Sequence, residues 1–413
     1  MNIIQSTSRK SKHIIIAIYI VLMSVQLIAL EGYGVSPIKV VLMSIAPILI
    51  VYLRLKDNLS KPIIYGGLCI LLMIICSAIG GPNIYWDRIG YRAMYVIMFI
   101  LVYGIIYDGE IDLQYIIDLL RFILLAYGIV YIIQHILFFL GVGELSIINF
   151  YRVTTMAGTY KANGLAIEAS HAARILTVLY WGLLKLKEIE TGKIIGFKQT
   201  WIKFPLVTIL FWFSIVTMGS ATAIIGAAII ILYFLKKNIG IALCGLIMLF
   251  TLLNVEIDNQ QIKRTQTVFN SMFADDARAA LIQREGSGAV RIVPILNTLS
   301  IDLFDARSWV GQGNEQNITE NNFVERMFSE TRYIGDVASY GLLTYLATLL
   351  FVYGCCIRRF FSMESLIFLG LATFSVGSVY YTWLMLMIFC IVRYYSEIYS
   401  EFQKANNNLC DKQ

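Results

Sequence analysis

The chain has 413 residues, 58% of them hydrophobic and 15% charged, and a mean hydropathy of +0.71. A soluble domain is about half apolar and a quarter charged, so this composition excludes a soluble globular protein and implies a polytopic membrane protein. The formal charge of +6 fits lysines and arginines gathered in loops on one side of a bilayer, and nucleic acid is not expected as a partner.

The N-terminus reads MNIIQSTSRKSKH and then turns apolar. No small-residue cleavage site ends that apolar run, so the segment reads as a retained first span. A span needs about 20 mostly apolar residues. Spans are predicted near 14–30, 36–53, 62–80, 91–107, 115–140, 172–187, 204–220, 221–235, 239–255, 337–357, 364–379 and 380–395, about twelve in all. Very short turns at Ser220 and Val379 separate two of the pairs.

Orientation follows from Lys and Arg in short loops. Arg9, Lys10 and Lys12 precede the first span, and Arg54, Lys56 and Lys61 follow the second. Lys185, Lys187, Lys193, Lys198 and Lys203 follow the sixth, Lys236 and Lys237 the eighth, and Arg358 and Arg359 the tenth. All these loops fall on one side, which makes both termini cytoplasmic. DGEIDLQ, Asp108 to Gln114, is acidic yet lies on that side; acidic residues weigh little in the rule.

Two loops then lie outside the cytoplasm, a smaller one at 141–170 and a larger one at 256–336. They divide the chain into an N-terminal bundle of about nine spans (1–255), the large loop (256–336), and C-terminal spans with a cytoplasmic tail (337–413). In the large loop, Ala289, Ile292, Val293, Leu296, Leu299 and Leu303 recur at helical spacing. The pattern predicts an amphipathic helix over 287–304, capped by Ser287, with Arg291, Thr298, Asp302 and Asp305 on its polar face. Such a helix lies on the bilayer surface with that face toward a cavity. The turn RSWVGQGNEQN, Arg307 to Asn317, ends it, and Thr319 caps the next helix.

Arginine holds phosphate with a planar fork of donors and keeps its charge near lipid. The large loop carries Arg264, Arg278, Arg284, Arg291, Arg307, Arg326 and Arg332. Two or three of these suffice to hold a diphosphate leaving group without a metal. The competing reading pairs each with the loop's own Asp and Glu or with lipid headgroups. At Arg291, near the start of the amphipathic helix, the two readings balance.

The smaller loop ends in YKANGLAIEASHAARILTVLYW. Glu168, His171 and Arg174 are three apart, along one side of the helix that opens the sixth span. A carboxylate, an imidazole and a guanidinium at a span's mouth suit a base and a phosphate clamp. The plainer reading is interfacial anchoring with a local Glu168–Arg174 pair. Asp118 and Arg121 read as a structural ion pair, and His135 as a hydrogen-bonded packing residue. Phe150, Tyr151, Tyr160 and Trp309 suit sugar stacking or interface anchoring.

GQG at Gly311 to Gly313 lacks a third glycine and a preceding strand, which excludes a dinucleotide loop. None of the seven cysteines falls in a segment placed outside the cytoplasm, so no disulfide is expected, and with no CxxC and no Cys/His cluster no zinc site is expected. No cofactor is implied.

The run SGAVRIVPILNTLSIDLFDARSWVGQGNEQN resembles a segment of the O-antigen polymerase and O-antigen ligase superfamily. There an arginine opens an amphipathic helix and a Gly-x-Gly turn closes it. NNFVERMFSETRYIGDVASYGLLTYL is similar to the family's continuation into the next span, and NGLAIEASHAARIL to its earlier passage from loop to span. The resemblance implies a GT-C-like glycosyltransferase of the bacterial inner membrane. Its donor would be a glycan on undecaprenyl diphosphate, attacked at the anomeric carbon by an acceptor hydroxyl. Arg291 then matches the diphosphate-binding arginine, Arg174 and Arg307 are weaker matches, and Glu168 or His171 is the base. Gly311 and Gly313 shape the turn. The one protein partner left open is a chain-length regulator.

Two departures bear on the branch. The turn after the middle spans reads MGSATA where ligases carry Ser-Arg, and the large loop has no histidine. Both favour a polymerase of O-antigen, capsule or exopolysaccharide repeats over a ligase. A flippase of the same lipid-linked glycan is the alternative of another class; the chain shows no internal repeat to favour it.

Overall fold

A computed structural model of the chain describes residues 2–26, 36–55, 59–81, 86–142, 162–218, 220–235, 286–311 and 333–410, with isolated turns between 266 and 280. The side chains of 2–8, 221, 286–292 and 401–410 lie outside that description. All regular structure among the described residues is helical. In order these are α1 (Asn2–Ser24), α2 (Pro37–Tyr52), α3 (Ser60–Gly80), α4 (Trp86–Tyr107), α5 (Leu113–Phe139), α6 (Ala169–Thr191) and α7 (Phe197–Lys203). They continue as α8 (Pro205–Thr217), α9 (Ala221–Leu235), α10 (Gly286–Leu299), α11 (Ala306–Val310), α12 (Val337–Cys355), α13 (Met363–Ala372) and α14 (Tyr380–Cys410).

Helices occupy eleven of the twelve predicted apolar segments, and the segment at 239–255 lies outside the described residues. Fewer are long and apolar enough to cross a membrane. Among the described residues, length and composition give α3, α4, α5 and α12, and a fifth span if α7 and α8, bent by 118°, count as one. About twelve spans is therefore not what these criteria give. Charge is one reason: α6 ends in KLKEIET and α14 runs on into SEIYSEFQK. Backbone is the other. The segment predicted at 364–379 stops being helical at Ala372, because Thr373 and Phe374 turn left-handed at φ 50° and 53°.

Large apolar side chains stay exposed along the outer helices, among them Ile48, Val51, Ile64, Leu71, Phe122, Ile129, Val216 and Leu350. So broad an apolar surface is not stable in water. Here it is the outer face of an all-helical membrane protein. The interior is built on α14, whose Trp383–Val392 stretch is at most 1% exposed. A helix apolar on every side belongs in the centre of a bundle. α6 packs directly on it at Gly182, where a Cβ would lie 2.6 Å from Ile388 Cγ2. Small residues let membrane helices approach this closely.

At one end of the bundle the acidic 108–112 loop finds its partners. Lys12 pairs with Asp108 and, at 3.0 Å, with Glu110, while Arg9 pairs with Asp112. Burial alone would lower the Lys12 ammonium, but its hydrogen bonds to the two carboxylates outweigh this and hold it above its usual value. The acidic loop is thus the counter-charge of the basic N-terminus. Asp118 forms no pair with Arg121 among the described residues; it accepts from Gln114 Nε2 at 2.9 Å. His135 hydrogen-bonds Thr217, at 3.3 Å.

The amphipathic helix predicted over 287–304 is α10, which ends five residues earlier, at Leu299. Thr298 Oγ1 accepts the Ile334 N–H at 2.9 Å and so ties α10 to the start of α12. The first part of RSWVGQGNEQN is helical, not a turn: Asp305 caps α11 by accepting the Arg307 N–H at 3.0 Å. Gly311 ends α11 at φ 78° and meets Gly341, a non-helical residue at φ 73° inside α12. A Cβ on Gly311 would lie 2.7 Å from Ser339 and Gly341 backbone, and one on Gly341 would lie 2.6 Å from the Val310 carbonyl carbon. Backbone meets backbone there, so neither glycine tolerates a side chain. Gly341→Ala is expected to lower stability by about 1–3 kcal/mol or more. Gly67→Ala, where nothing lies within 4 Å, should not lower it. Thermal unfolding of both variants in detergent is the check, and equal melting temperatures would refute the close approach.

Candidate functional site

The loop that leads into α6 is bound into the bundle by its backbone. Gln134 of α5 donates to Asn163 Oδ1 and the Gly164 carbonyl, each at 3.1 Å, and accepts the Gly164 N–H at 2.9 Å. Asn163 Nδ2 in turn donates to the Ala166 carbonyl at 2.6 Å, and Tyr131 to the Ala162 carbonyl at 2.7 Å. Gln26 N–H reaches the Leu165 carbonyl at 2.8 Å. In an interior without water these backbone groups need protein partners, and the polar side chains of NGLAIE and α5 supply them. Glu168, the last residue before α6, is thereby held in place.

Glu168 occupies the N-cap position in extended conformation, and its carboxylate makes no capping bond. The carboxylate is exposed and accepts from Ser170 Oγ at 3.3 Å. His171 lies beside Tyr380 and Tyr381, the first residues of α14: its Nδ1 is 3.3 Å from the Tyr380 hydroxyl, and its ring centroid is 4.6 Å from that of Tyr381. Arg174 stacks on the other ring of the pair, with its guanidinium carbon 4.6 Å from the Tyr381 centroid. Its Nε donates to the Leu371 carbonyl at 2.7 Å. The local Glu168–Arg174 pair does not form among the described residues. Arg174 keeps its two terminal nitrogens without a hydrogen bond among those residues.

Two cations that sequence reasoning missed converge on the same place. Arg92 of α4, 7% exposed, donates to the Val376 carbonyl and pairs with Asp336 at the start of α12. Lys39 of α2, 2% exposed, sets its ammonium 3.7 Å from the centroid of the Tyr380 ring. Both stand in otherwise apolar runs, PIKVVLMS and YRAMYVIM. A lone cation inside an apolar run was the signal available, but the loop-by-loop count of charges passes over it.

Around the break between α13 and α14 the residues form a row, Lys39, Tyr380, His171, Tyr381, Arg174, with rings in the middle and a basic side chain at each end. Cationic donors beside tyrosine rings, one buried and one half-buried, suit a ligand that carries both phosphate and sugar. No group of three or more His, Cys, Asp or Glu able to hold a metal occurs among the described residues.

The other predicted residues sit elsewhere. Arg307 is exposed in the first turn of α11, and Trp309 spends its ring N–H on the Leu303 carbonyl at 2.8 Å. α11 packs on α12 and α3, not on α6. Arg291 lies in α10 with its side chain outside the description. Gly313, Thr319, Phe150, Tyr151 and Tyr160, with Arg264, Arg278, Arg284, Arg326 and Arg332, lie outside the described residues. The structure thus joins His171 and Arg174 through Tyr380 and Tyr381, leaves the Glu168 carboxylate exposed beside Ser170 at the same helix start, and shows no contact between these and Arg307 or Gly311 among the described residues. A cavity of about 290 Å³ opens near Lys185, Glu188, Arg358, Arg359 and Arg393, and no predicted site residue lines it.

No protein-family model, no curated protein and no solved structure matches the chain.

Gln134→Leu should release the segment that carries Glu168. It strands the Gly164 amide and carbonyl, at about 1–3 kcal/mol for each buried group left unpaired. Hydrogen exchange at the Gly164 and Ala166 amides should rise together with a fall in melting temperature. Unchanged exchange at those two amides would rule this anchoring out.

Proposed function

We propose that the chain is a glycosyltransferase of the bacterial inner membrane, a polymerase that joins undecaprenyl-diphosphate-linked repeats of an O-antigen, capsule or exopolysaccharide. The observation that carries this reading is the start of α6, where His171 and Arg174 lie against Tyr380 and Tyr381 one turn beyond the exposed Glu168. The resemblance of the α10–α11 and α6 segments to the O-antigen polymerases and ligases supplies the reaction. On this reading the shorter apolar helices complete an about twelve-span, GT-C-like, multi-pass protein. Both termini are cytoplasmic, and the start of α6 faces the periplasm.

In the reaction the acceptor sugar hydroxyl forms a bond to the donor anomeric carbon. The bond from that carbon to the diphosphate oxygen breaks, and lipid diphosphate departs with the electron pair. The hydroxyl proton passes to Glu168 or His171. Arg174, with Arg291 and Arg307 from the large loop, balances the charge that grows on the leaving group. Tyr381, half-buried where Tyr380 is buried, is the ring of the pair left for a sugar to stack on. The partners are two lipid-linked glycans and the bilayer itself, with a chain-length regulator as the open protein partner.

A flippase for the same lipid-linked glycan is the second reading, and one observation favours it. The break between α13 and α14 and the buried Lys39 and Arg92 are the broken helices and buried charges that transporters place at their substrate path.

Reconstitution separates the two. Purified protein supplied with lipid-linked repeats should make new glycosidic bonds, seen as longer glycans on a gel. Transport across vesicles without any longer product would replace the polymerase with a flippase. Arg174→Ala should lower turnover by about 10²–10³-fold, the usual loss for one donor aimed at a developing anion. In cells, Arg291→Ala should shorten the polymer, and unchanged length and yield would remove Arg291 from the diphosphate role. Activity should survive a divalent-metal chelator if arginines alone carry the leaving-group charge.

A further inference from the structure

We propose that Lys39 is an anion ligand, and that with the opening turn of α2 it forms a seat for a diphosphate beside Tyr380. Lys39 is 2% exposed, and its Nζ has no hydrogen-bond partner among the described residues. An ammonium carries three donors, and a buried charge without acceptors is expensive to keep. The Tyr380 face, 3.7 Å away, offers a cation–π contact, but a ring face accepts no conventional hydrogen bond. No carboxylate pairs with Lys39 among the described residues. Its three donors are built in and unspent.

A second feature converges on the same end of α2. The helix starts at Pro37, and its N-cap Ser36 makes no side-chain capping bond. The first-turn amides of Ile38 and Lys39 therefore lack an intrahelical acceptor, as at any helix start. Helix side chains lean toward the N-terminus, so the Lys39 stem carries its ammonium toward those amides. A helix start with unspent amides and an added ammonium is a site for a phosphate-type anion. Tyr380 joins this seat to the row described above, since its hydroxyl lies 3.3 Å from His171 and 3.5 Å from the Ile167 N–H. Lys39 and Arg174 then flank the Tyr380–Tyr381 pair, one cation at each side.

The seat is independent of any reaction; it rests on the polymerase reading only for naming the diphosphate as lipid-borne. The test uses the full chain in detergent, titrated with inorganic pyrophosphate and, separately, with farnesyl diphosphate, and read by thermal unfolding. The wild-type melting temperature should rise with the anion. Lys39→Met and Lys39→Gln, each removing the charge, should weaken binding about tenfold or more, and Lys39→Arg should retain it. Without anion, Lys39→Met should melt no lower than wild type, because an apolar chain of similar volume replaces a buried polar group that has no hydrogen-bond partner among the described residues.

A shift with farnesyl diphosphate alone assigns the seat to a lipid-borne diphosphate, and a shift with both probes assigns it to the diphosphate group itself. No shift in the wild type with either probe overturns the proposal. So does a Lys39→Met or Lys39→Gln protein that binds as tightly as wild type, which would leave Lys39 a packing residue on Tyr380. Lys39-dependent binding in a protein that makes no glycosidic bond would keep the seat and remove the polymerase.

Discussion

The break between α13 and α14 is the constraint around which the rest is arranged. A chain surrounded by lipid has no water for its free carbonyls, so each must find a donor within the protein. Thr373 and Phe374 hold left-handed conformations, which cost about 1–2 kcal/mol per residue without glycine. Four of the carbonyls around the break are met by side-chain donors. Arg174 donates to Leu371, Arg92 to Val376, the Trp383 ring N–H to Gly377 at 3.0 Å, and Thr382 Oγ1 to Val379 at 2.7 Å. Asp336 then neutralises Arg92 and brings in the start of α12. Four helices are therefore oriented by one short segment. Tyr380 and Tyr381, which follow it directly, meet His171, Arg174 and Lys39 as a consequence.

Hydropathy made the helices legible, since apolar runs long enough to bury or to face lipid have few other fates. It did not make their ends legible. Nothing in LATFSVGSVY announces a break at Thr373: the sequence signal for a left-handed residue is glycine or asparagine, and here threonine and phenylalanine take that conformation under tertiary constraint. Gly311 was legible as a turn glycine, though not as the end of α11, and its partner Gly341 was not legible at all, because a contact between two backbones leaves no trace in either local pattern. Within the candidate site, the spacing of Glu168, His171 and Arg174 was readable along one helix. Their aromatic and cationic partners from α2, α4 and α14 were not, since those lie far apart in sequence and only packing brings them together.

Charge in this molecule serves two different ends. At the Arg9–Lys12 end, acids and bases meet in pairs, half-exposed between Arg9 and Asp112 and buried on the Lys12 side. The exposed pair contributes little to stability, and together the pairs settle an acidic loop against a basic one. At the break, cations are buried and meet carbonyls and ring faces. There the removal of one partner is far more consequential than at the surface. A count of lysines and arginines by loop registers the first population and passes over the second, which is why Lys39 and Arg92 carried no weight in the topology and much in the site.

The way the break is held bears on what it can do. A transporter needs its broken helix to shift between two arrangements. Here the break is clasped from three sides, by the Arg92–Asp336 link, by Arg174 and by Trp383, and a shift would strand several buried groups at once. That argues for a fixed frame. Fixed donors are what a developing anion requires, because they stabilise charge without reorganising at the moment of reaction. The two groups left unspent by the clasp, the Lys39 ammonium and the outer nitrogens of Arg174, stand on either side of the Tyr380–Tyr381 pair. The frame consumes part of its cationic donors to hold itself together, and leaves the remainder without a partner among the described residues.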